Sequence, residues 1–166
     1  MNEPIAETSA IAMRAIGRVH SPFKNMVGMP IQTVAAAEHQ GHIEVFAPFV
    51  PGLRDVQEFQ YLIVLTHLHE AQEKLEVTPF MDNRSHGVFA TRAPARPNRI
   101  GLSIIELLSV DGCTLKFRGN DMLDGTPVLD IKPYVPRLDV RETQRIGWFA
   151  QGLAQLPGKL SDDRML

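Results

Sequence analysis

Residues 101–118 read GLSIIELLSVDGCTLKFR, and this stretch decides the fold. Its two halves, 101–110 and 114–118, are rich in apolar and β-branched residues, as strands are. Asp111-Gly112 lies between them, and Asp-Gly is a dipeptide typical of tight hairpin turns. The stretch therefore predicts two antiparallel strands joined by a short turn.

Strand-like segments continue on both sides of this hairpin. They are residues 14–20, 42–49, 61–68, 87–92 and 128–134. The segment 61–68, YLIVLTHL, is the most continuous apolar run of the chain and suits a strand covered on both faces. The polar segment 71–84 contains a proline and is long for a connection, so we expect it to have a function if it is ordered.

The last predicted element is a helix. Asp139 and Glu142 form a start that resembles a capping box, and Pro157-Gly158 ends the segment. Apolar residues recur between them at helical spacing: Ile146, Phe149, Ala150, Leu153 and Leu156. We expect this stripe to pack on the core, with a dimer contact as the alternative.

These elements together predict a mainly β fold: a single antiparallel, barrel-like domain with a C-terminal α-helix and long loops. Short strands with proline-rich turns favour a barrel or a closed sandwich. We expect a flexible tail at residues 1–12, one domain at 13–158 that includes the helix, and a second tail at 159–166. A chain of 166 residues is long enough for one ordinary domain with a genuine core.

Composition limits the functional classes. Apolar residues make up 44% and charged residues 22% of the chain, which is typical of a soluble globular protein. The net charge of -2 gives no general attraction for nucleic acid, so a polyanion would need a local basic patch. The single cysteine, Cys113, excludes an intrachain disulfide and favours a reducing compartment. The N-terminal residues do not resemble a signal peptide, and we expect a cytoplasmic protein.

The usual nucleotide-binding loops do not occur in the sequence. There is no G-x-G-x-x-G after a strand and no G-x-x-x-x-G-K-[ST]. The G-x-S-x-G turn of many hydrolases is missing too. An enzyme with a nucleotide-like cofactor would therefore have to bind it on a β scaffold.

Positive charge is concentrated in the segment 83–99. It contains no acidic residue and four arginines: Arg84, Arg92, Arg96 and Arg99. A guanidinium matches phosphate, carboxylate or a base edge, and the neighbouring prolines reduce the cost of ordering the loop. We expect a binding loop, and a solvated surface loop is the alternative.

Carboxylates are concentrated in the segment 120–126, NDMLDGT. Asp124 and Thr126 can simply satisfy the Asp-Gly turn that this segment contains. Alternation places three polar side chains on one face of the following strand: Asp130, Lys132 and Tyr134. Such a group is costly to bury unless it is paired, so it suits a cleft better than a core.

His67 and His69, followed by Glu70, form a His-x-His pattern at the end of the segment 61–68. Alternate residues of a strand face the same way, so the two imidazoles could share a metal ion, although no third ligand stands at diagnostic spacing. Hydrogen bonds to loop backbone are the alternative, and contact with a bound ligand is a third interpretation.

Three motifs resemble a known family: IGRVHSPF (16–23), GVFATRAPARPNRIGLS (87–103) and LDGTPVLDIKPYVP (123–136). In this order and spacing they resemble the TsaA/YaeB-like family, also called TrmO, over about residues 15–139. Members of that family are S-adenosylmethionine-dependent tRNA methyltransferases that modify N6 of the threonylcarbamoyl-adenosine beside the anticodon. The resemblance implies a β-barrel and a homodimer with the cofactor site near the subunit interface.

The resemblance also implies site residues. Cofactor contacts are expected from Pro30, Ile31, Gln32, His69, Glu70, Arg92, Ile100, Gly101, Leu102, Leu123, Asp124, Gly125 and Thr126. The catalytic group is expected to comprise Asp124, Asp130, Lys132 and Tyr134, with Asp124 or Asp130 as the proton acceptor. Contacts to the tRNA anticodon loop are expected from Arg84, Arg96, Asn98 and Arg99, and no metal is expected to be required.

The sequence departs from the family pattern in three places. Tyr61 stands where a His is frequent, and Arg99 replaces the usual Pro of RPNPIG. The additional C-terminal domain of some bacterial relatives is expected to be absent, which bears on tRNA affinity more than on the chemistry. Two alternatives therefore stay open: a methyltransferase of the same fold for another RNA or a small molecule, and a metal-binding β module that uses His67 and His69.

Overall fold

The structure is a computed structural model, and it describes residues 9–32, 36–153 and 160–162. The two predicted tails lie largely outside the described residues, and so does Leu156 of the predicted helical stripe. Among the described residues, no helix is long and apolar enough to cross a membrane.

Strands are the main regular element in the described part of the chain. They are β1 Gly17–His20, β2 Gln40–Val45, β3 Tyr61–His67, β4 Glu76–Val77, β5 His86–Gly87, β6 Ile100–Asp111, β7 Thr114–Arg118 and β8 Pro127–Pro133. The α-helices are short, α1 Pro136–Asp139 and α2 Phe149–Gly152, and 3-10 helices span Ala47–Leu53, Val56–Glu58 and Val88–Ala90.

Six of the strands close into an antiparallel barrel in the order β1-β2-β7-β6-β3-β8. Pairing of β1 with β8 completes the closure, where Gly17 faces Val128 and Arg18 faces Pro127. A closed barrel leaves no unpaired sheet edge. The predicted mainly β, antiparallel and barrel-like domain is therefore confirmed.

The hairpin predicted from residues 101–118 is confirmed as β6 and β7, with Asp111 paired to Thr114 at the turn. Gly112 takes a φ of 57° there, a conformation that glycine adopts without strain. β3 pairs with β6 along its length and with β8 on its other side. The apolar run that forms β3 thus lies in the middle of the sheet.

Side chains alternate between the barrel interior and its outside. On β3, Leu62, Val64 and Thr66 are buried, whereas Ile63 and Leu65 are only partly buried. The interior is filled by the apolar side chains of Val19, Ile43, Val45, Leu62, Val64, Ile105, Leu115, Phe117, Met122 and Val128. Burial of this apolar surface is the main force that stabilises the closed barrel.

The near mouth of the barrel is the end at which β3 and β7 end and β6 and β8 begin; the far mouth is the opposite end. Residues 119–126 cross the near mouth, and the fully buried Asn120 fixes them. Its Nδ2 donates to Ser21 Oγ at 2.8 Å, and its Oδ1 accepts from the N–H of Met122 at 3.1 Å. Because an unpaired buried amide is costly, these bonds hold the loop in one conformation.

Residues 68–99 form an excursion between β3 and β6, and it is ordered. It has a small core of its own, made of Val77, Val88, Ala93 and Ala95 with Phe80 packed against them. The N–H of Leu68 donates to the carbonyl of Arg99 at 2.8 Å, which joins the two ends of the excursion at the near mouth. The long polar segment 71–84 is therefore part of a folded excursion that covers the near mouth of the barrel.

One predicted strand within this excursion is wrong. Residues 87–92 do not form a strand, because β5 ends at Gly87 and the 3-10 helix Val88–Ala90 follows it. The side chain of Val88 in this 3-10 helix packs into the small core of the excursion. Packing against the excursion thus overrides the β propensity of the segment.

The predicted C-terminal helix is also shorter than its pattern indicates. In the described residues only α2 is helical in this region, and residues 140–148 are not. Gly147 takes a φ of 60°, which a right-handed helix cannot contain. The apolar stripe does not pack on the barrel core either, since Ile146 is 39% and Leu153 is 42% exposed.

We predict that Gly17→Ala destabilises the barrel by about 1–3 kcal/mol, because overpacking a close contact forces backbone shifts. A Cβ at this position would lie 2.5 Å from the carbonyl oxygen of Glu44 on the paired strand β2. Gly87→Ala is the control, since no atom lies within 4 Å of the added methyl group. Urea unfolding measures both, and equal free energies of unfolding for the two variants would contradict the steric explanation.

Candidate functional site

A cavity of about 410 Å³ opens at the near mouth. The ends of β3 and β6, the loop 119–126, the excursion 68–99 and the loop 26–32 all contribute to its lining. This volume lies within the range of small-molecule sites in proteins. The barrel therefore carries a ligand-sized space at the mouth that the excursion covers.

Most of the predicted cofactor residues meet at this cavity. Its lining includes Pro30, Ile31, Gln32, His69, Glu70, Arg92, Ile100, Gly101, Leu102, Leu123 and Thr126. Asp124 and Gly125 are the two that do not line it. Residues that are far apart in the sequence are thus brought to one place by closure of the barrel.

The cavity contains both signs of charge. Arg92 Nη1 donates to Gln32 Oε1 at 3.1 Å, which joins the excursion to the loop 26–32. His69 Nε2 lies 3.8 Å from Glu70 Oε1 just beyond the end of β3. A guanidinium and a carboxylate can bind opposite ends of a zwitterionic ligand through charge-assisted hydrogen bonds.

Gly101 lies in close contact with the side chains of Thr66 and Leu68 below the cavity. A Cβ at this position would lie 2.5 Å from Thr66 Oγ1 and 2.9 Å from Leu68 Cδ2. A larger residue would therefore have to displace these two side chains. The glycine of the motif thus keeps the floor of the cavity tightly packed.

The Asp-Gly turn of the loop 119–126 forms another wall. Gly125 takes a φ of 79°, and its N–H donates to the carbonyl of Val19 at 2.9 Å. Thr126 Oγ1 donates to the carbonyl of Leu123 at 2.7 Å, which closes the turn. Leu123 and Thr126 are therefore held against the cavity by backbone that is tied to β1.

Asp124 points away from this wall into a structural network. Its Oδ1 accepts from the N–H of Ser21 at 2.9 Å, and its Oδ2 pairs with Lys24 Nζ at 2.6 Å. The hydrogen bond from Lys24, followed by that from Ser21, holds the pKa of Asp124 below its ordinary value. The carboxylate joins the end of β1 to the turn, and the cavity does not include it.

Asp130, Lys132 and Tyr134 lie together, but on the outer surface of the barrel. The register between β3 and β8 shifts at Leu65/Thr66, so that Leu129 is an extra residue in β8. Because of this bulge Val128 is buried in the core and Asp130 pairs with Leu65 on the outer face.

These three polar side chains find partners outside the cavity. Asp130 Oδ2 pairs with Lys132 Nζ at 2.7 Å, and both side chains are well exposed. The ring of Tyr134 stacks edge-on against Tyr61 with centroids 6.3 Å apart. Asp130, Lys132 and Tyr134 thus share the outer face of the barrel, away from the cavity and from Asp124.

The arginines of the segment 83–99 divide into different environments. Arg92 and Arg96 line the cavity, whereas Arg84, Asn98 and Arg99 do not. Arg96 Nη1 donates to the carbonyls of Val88 and Thr91 at 3.1 and 2.9 Å, so this guanidinium also holds the loop in shape. The side chain of Arg84 is 72% exposed, and its Nε lies 3.8 Å from Asp82 Oδ2.

Arg99 has a backbone reason for its departure from the family pattern. Its φ is 49°, whereas proline fixes φ near about −65°. Proline therefore cannot occupy this backbone conformation.

The two histidines of the His-x-His pattern separate at the end of β3. His69 lines the cavity, but His67 does not. Burial lowers the pKa of His67, and the charges of Arg99 and His69 lower it further. Within residues 9–32, 36–153 and 160–162, no group of three or more His, Cys, Asp or Glu side chains is placed to hold a metal ion.

Asp121 is the most important lining residue that the sequence did not single out for a role. Ser103 Oγ donates to its Oδ1 at 2.7 Å, and both residues line the cavity. Its neighbour Asn120 is fully buried in the network that fixes this loop. The acidic segment NDMLDGT did indicate a site, but the aspartate that lines the cavity is Asp121 and not Asp124.

Other lining residues come from segments without a motif. They include Met26, Met29, Phe80, Met81, Phe149, Ser161 and Asp162. The N–H of Ser161 donates to the carbonyl of Met29 at 2.8 Å, a contact between distant parts of the chain. No local pattern predicts such a contact, because it exists only in the folded chain.

Comparison with known proteins gives a consistent family. The model of the tRNA-methyltransferase O N-terminal domain matches residues 18–140. A probable S-adenosyl-L-methionine-binding protein of Pyrococcus abyssi is 50% identical over 155 residues, which cover 93% of this chain and 84% of that protein. The tRNA (adenine(37)-N6)-methyltransferase of Escherichia coli is 36% identical over 139 residues, which cover 77% of this chain and 59% of that enzyme.

Solved structures agree with this result. The crystal structure of TrmO from Pseudomonas aeruginosa matches with a TM-score of 0.71 and 35% identity over 84% of this chain. The match covers 63% of that protein, so the chain spans about three-fifths of the length of the bacterial proteins.

We predict that Asp124→Asn makes stability less sensitive to acid. Because the folded-state pKa of Asp124 is lowered, its contribution is complete above the ordinary aspartate value of about 3.9 and is lost as the pH falls through the lower folded value. The difference between the free energies of unfolding at neutral and at acid pH should therefore be smaller in the variant. Asp55→Asn at the far mouth controls for the loss of one carboxylate, and an identical pH dependence of wild type and Asp124→Asn would refute the role.

Proposed function

The chain belongs to the tRNA-methyltransferase O family, and from this membership we propose that it transfers a methyl group from S-adenosylmethionine to N6 of the threonylcarbamoyl-adenosine beside the anticodon of tRNA. The observation that carries the proposal is the cavity at the near mouth, where the residues expected to contact the cofactor meet. The expected residues come from five separated parts of the chain, and their convergence at one cavity supports the proposal.

The lining fits the chemistry of this cofactor. Pro30, Leu102 and Leu123 supply apolar surface for a nucleoside ring, and backbone groups lie beside them. Arg92 suits the carboxylate of the methionine part, and Glu70 suits its ammonium group or the ribose hydroxyls. We therefore assign the cofactor to this cavity with these residues as its main polar partners.

The bound cofactor supplies a methyl group that its sulfonium charge already activates. The protein consequently has to position the acceptor nitrogen and remove the proton that this nitrogen loses. Asp124 and Asp130 were expected to accept that proton, but Asp124 joins β1 to the turn and Asp130 lies on the outer face of the barrel. We propose Asp121 instead, because its carboxylate lines the cavity and Ser103 orients it.

The acceptor is proposed to approach from the side of the excursion. Arg84 is exposed there, and the acid-free segment 83–99 also presents Asn98 at the surface. Such guanidinium groups bind phosphates and make RNA affinity dependent on salt. An adenosine in the anticodon loop is already single-stranded, so its presentation to a cavity costs little.

The expected homodimer remains part of this proposal. Ile100 and Leu102 line the cavity, yet their side chains are 37% and 51% exposed. Exposed apolar residues at the edge of a site suit coverage by a second subunit. A cytoplasmic location is expected from the same role, since tRNA is the proposed substrate.

We predict that Arg92→Ala weakens binding of S-adenosylmethionine roughly 10- to 100-fold, since a hydrogen bond to a charged group is lost. Isothermal titration calorimetry on the folded protein measures the change. Arg54→Ala is the matched control, because Arg54 follows the 3-10 helix at the far mouth and does not line the cavity. Equal affinities for the two variants would place the cofactor elsewhere.

We predict that the wild-type protein methylates anticodon stem-loops that carry threonylcarbamoyl-adenosine, and that Asp121→Asn lowers kcat about 100-fold with little change in KM, the size expected for loss of a general base. Asp130→Asn, on the outer face, should keep the wild-type kcat. Mass spectrometry of the RNA detects the added methyl group. Methylation of another RNA or of a small molecule, with no methylation of these stem-loops, would favour the alternative substrate class and overturn the proposed acceptor.

A further inference from the structure

Three aromatic rings form a stack beside the cavity, and the proposed chemistry leaves this stack unexplained. The rings of His86 and Trp148 lie 5.0 Å apart at an interplanar angle of 21°, and those of Trp148 and Phe149 lie 4.0 Å apart at 25°. Phe149 also lines the cavity. We call these three residues the aromatic ladder; it leads from β5 to the cavity.

The ladder is anchored at each of its members. Trp148 Nε1 donates to the carbonyl of Ala90 at 2.8 Å, and His86 Nε2 donates to Asp82 Oδ2 at 2.8 Å. Phe149 begins α2, and at the end of this helix a Cβ on Gly152 would lie only 3.0 Å from Cβ of Met81, so α2 sits tightly on the excursion. These contacts fix the plane of the stack before any ligand arrives, and preorganisation of this kind lowers the cost of binding.

Two of the three ladder residues lie beyond the matched family domain. That match ends at residue 140, and Trp148 and Phe149 follow it. Neither side chain belongs to the barrel core or to the small core of the excursion. Both rings keep partial exposure, so packing alone does not account for their parallel arrangement.

We propose that the aromatic ladder is a purine-stacking wall, in which Phe149 extends the stack onto a purine ring held in the cavity. The inference rests on the proposed function, which brings two purines to this site, one in the cofactor and one in the acceptor nucleoside. Flat aromatic rings bind bases through their π faces, and such stacking is a major source of affinity for nucleotides. The shared chemistry is the purine ring, and the experiment separates its two sources.

Trp148 makes the inference directly measurable because it is the single tryptophan of the chain. Its emission reports on the ladder alone. The wild-type protein is titrated with S-adenosylhomocysteine in one arm and with an anticodon stem-loop in the other. We expect the emission of Trp148 to change and saturate with the ligand whose purine stacks on Phe149.

The matched variants test the ring itself. Phe149→Leu keeps an apolar side chain without a π face and should weaken that ligand about 5- to 50-fold, while Phe149→Tyr should bind like the wild type. Phe89→Leu is the control, since Phe89 is 75% exposed and does not line the cavity. Thermal unfolding checks that each variant is folded.

Each outcome decides the question. Weakening by Phe149→Leu in the first arm assigns the wall to the cofactor, and weakening in the second arm assigns it to the acceptor. Unchanged affinity of Phe149→Leu in both arms, or no response of Trp148 in protein that transfers methyl groups, overturns the wall and leaves the proposed function standing. A Trp148 response in protein that transfers no methyl group to any stem-loop overturns the proposed function and leaves the wall standing. If neither a Trp148 response nor methyl transfer is seen, both proposals are overturned.

Discussion

Pairing of β1 with β8 is the contact on which the rest of the structure depends. Only Gly17 and Arg18 pair with β8, yet this short ladder closes the barrel. Gly17 also lets β1 lie close to the backbone of β2, because a Cβ there would meet the carbonyl oxygen of Glu44. Beyond the ladder, Val19 exchanges hydrogen bonds with Gly125 and Thr126, so barrel closure also positions one wall of the cavity.

The barrel and the excursion 68–99 together form the site at the near mouth. The barrel provides the floor, where Gly101 packs against Thr66. The excursion provides the polar groups, and its own small core keeps Arg92 in place beside Gln32. Loops that are positioned by a closed scaffold can present charge without loss of order, which is why binding groups so often lie on them.

The two aspartates of the acidic segment 120–126 lie in different surroundings. Asp124 has become structural, since Ser21 and Lys24 occupy its two oxygens at the end of β1. Asp121, three residues earlier, reaches the cavity because the buried amide of Asn120 directs the loop across the near mouth. Two aspartates of one short segment thus lie in different environments, and the hydrogen bonds around each one fix its position.

The β architecture, the hairpin of residues 101–118 and the family could all be predicted from the sequence, because these depend on local propensity, turn chemistry and motif spacing. Most of the residues that the sequence assigned to the cofactor also line the cavity. Which carboxylate faces the cavity became evident only in the folded protein, since the bulge at Leu129 turns Asp130 outward and Ser21 binds Asp124. The aromatic ladder and the contact of Ser161 with Met29 join residues far apart in the chain, and contacts of that kind leave no local pattern to read.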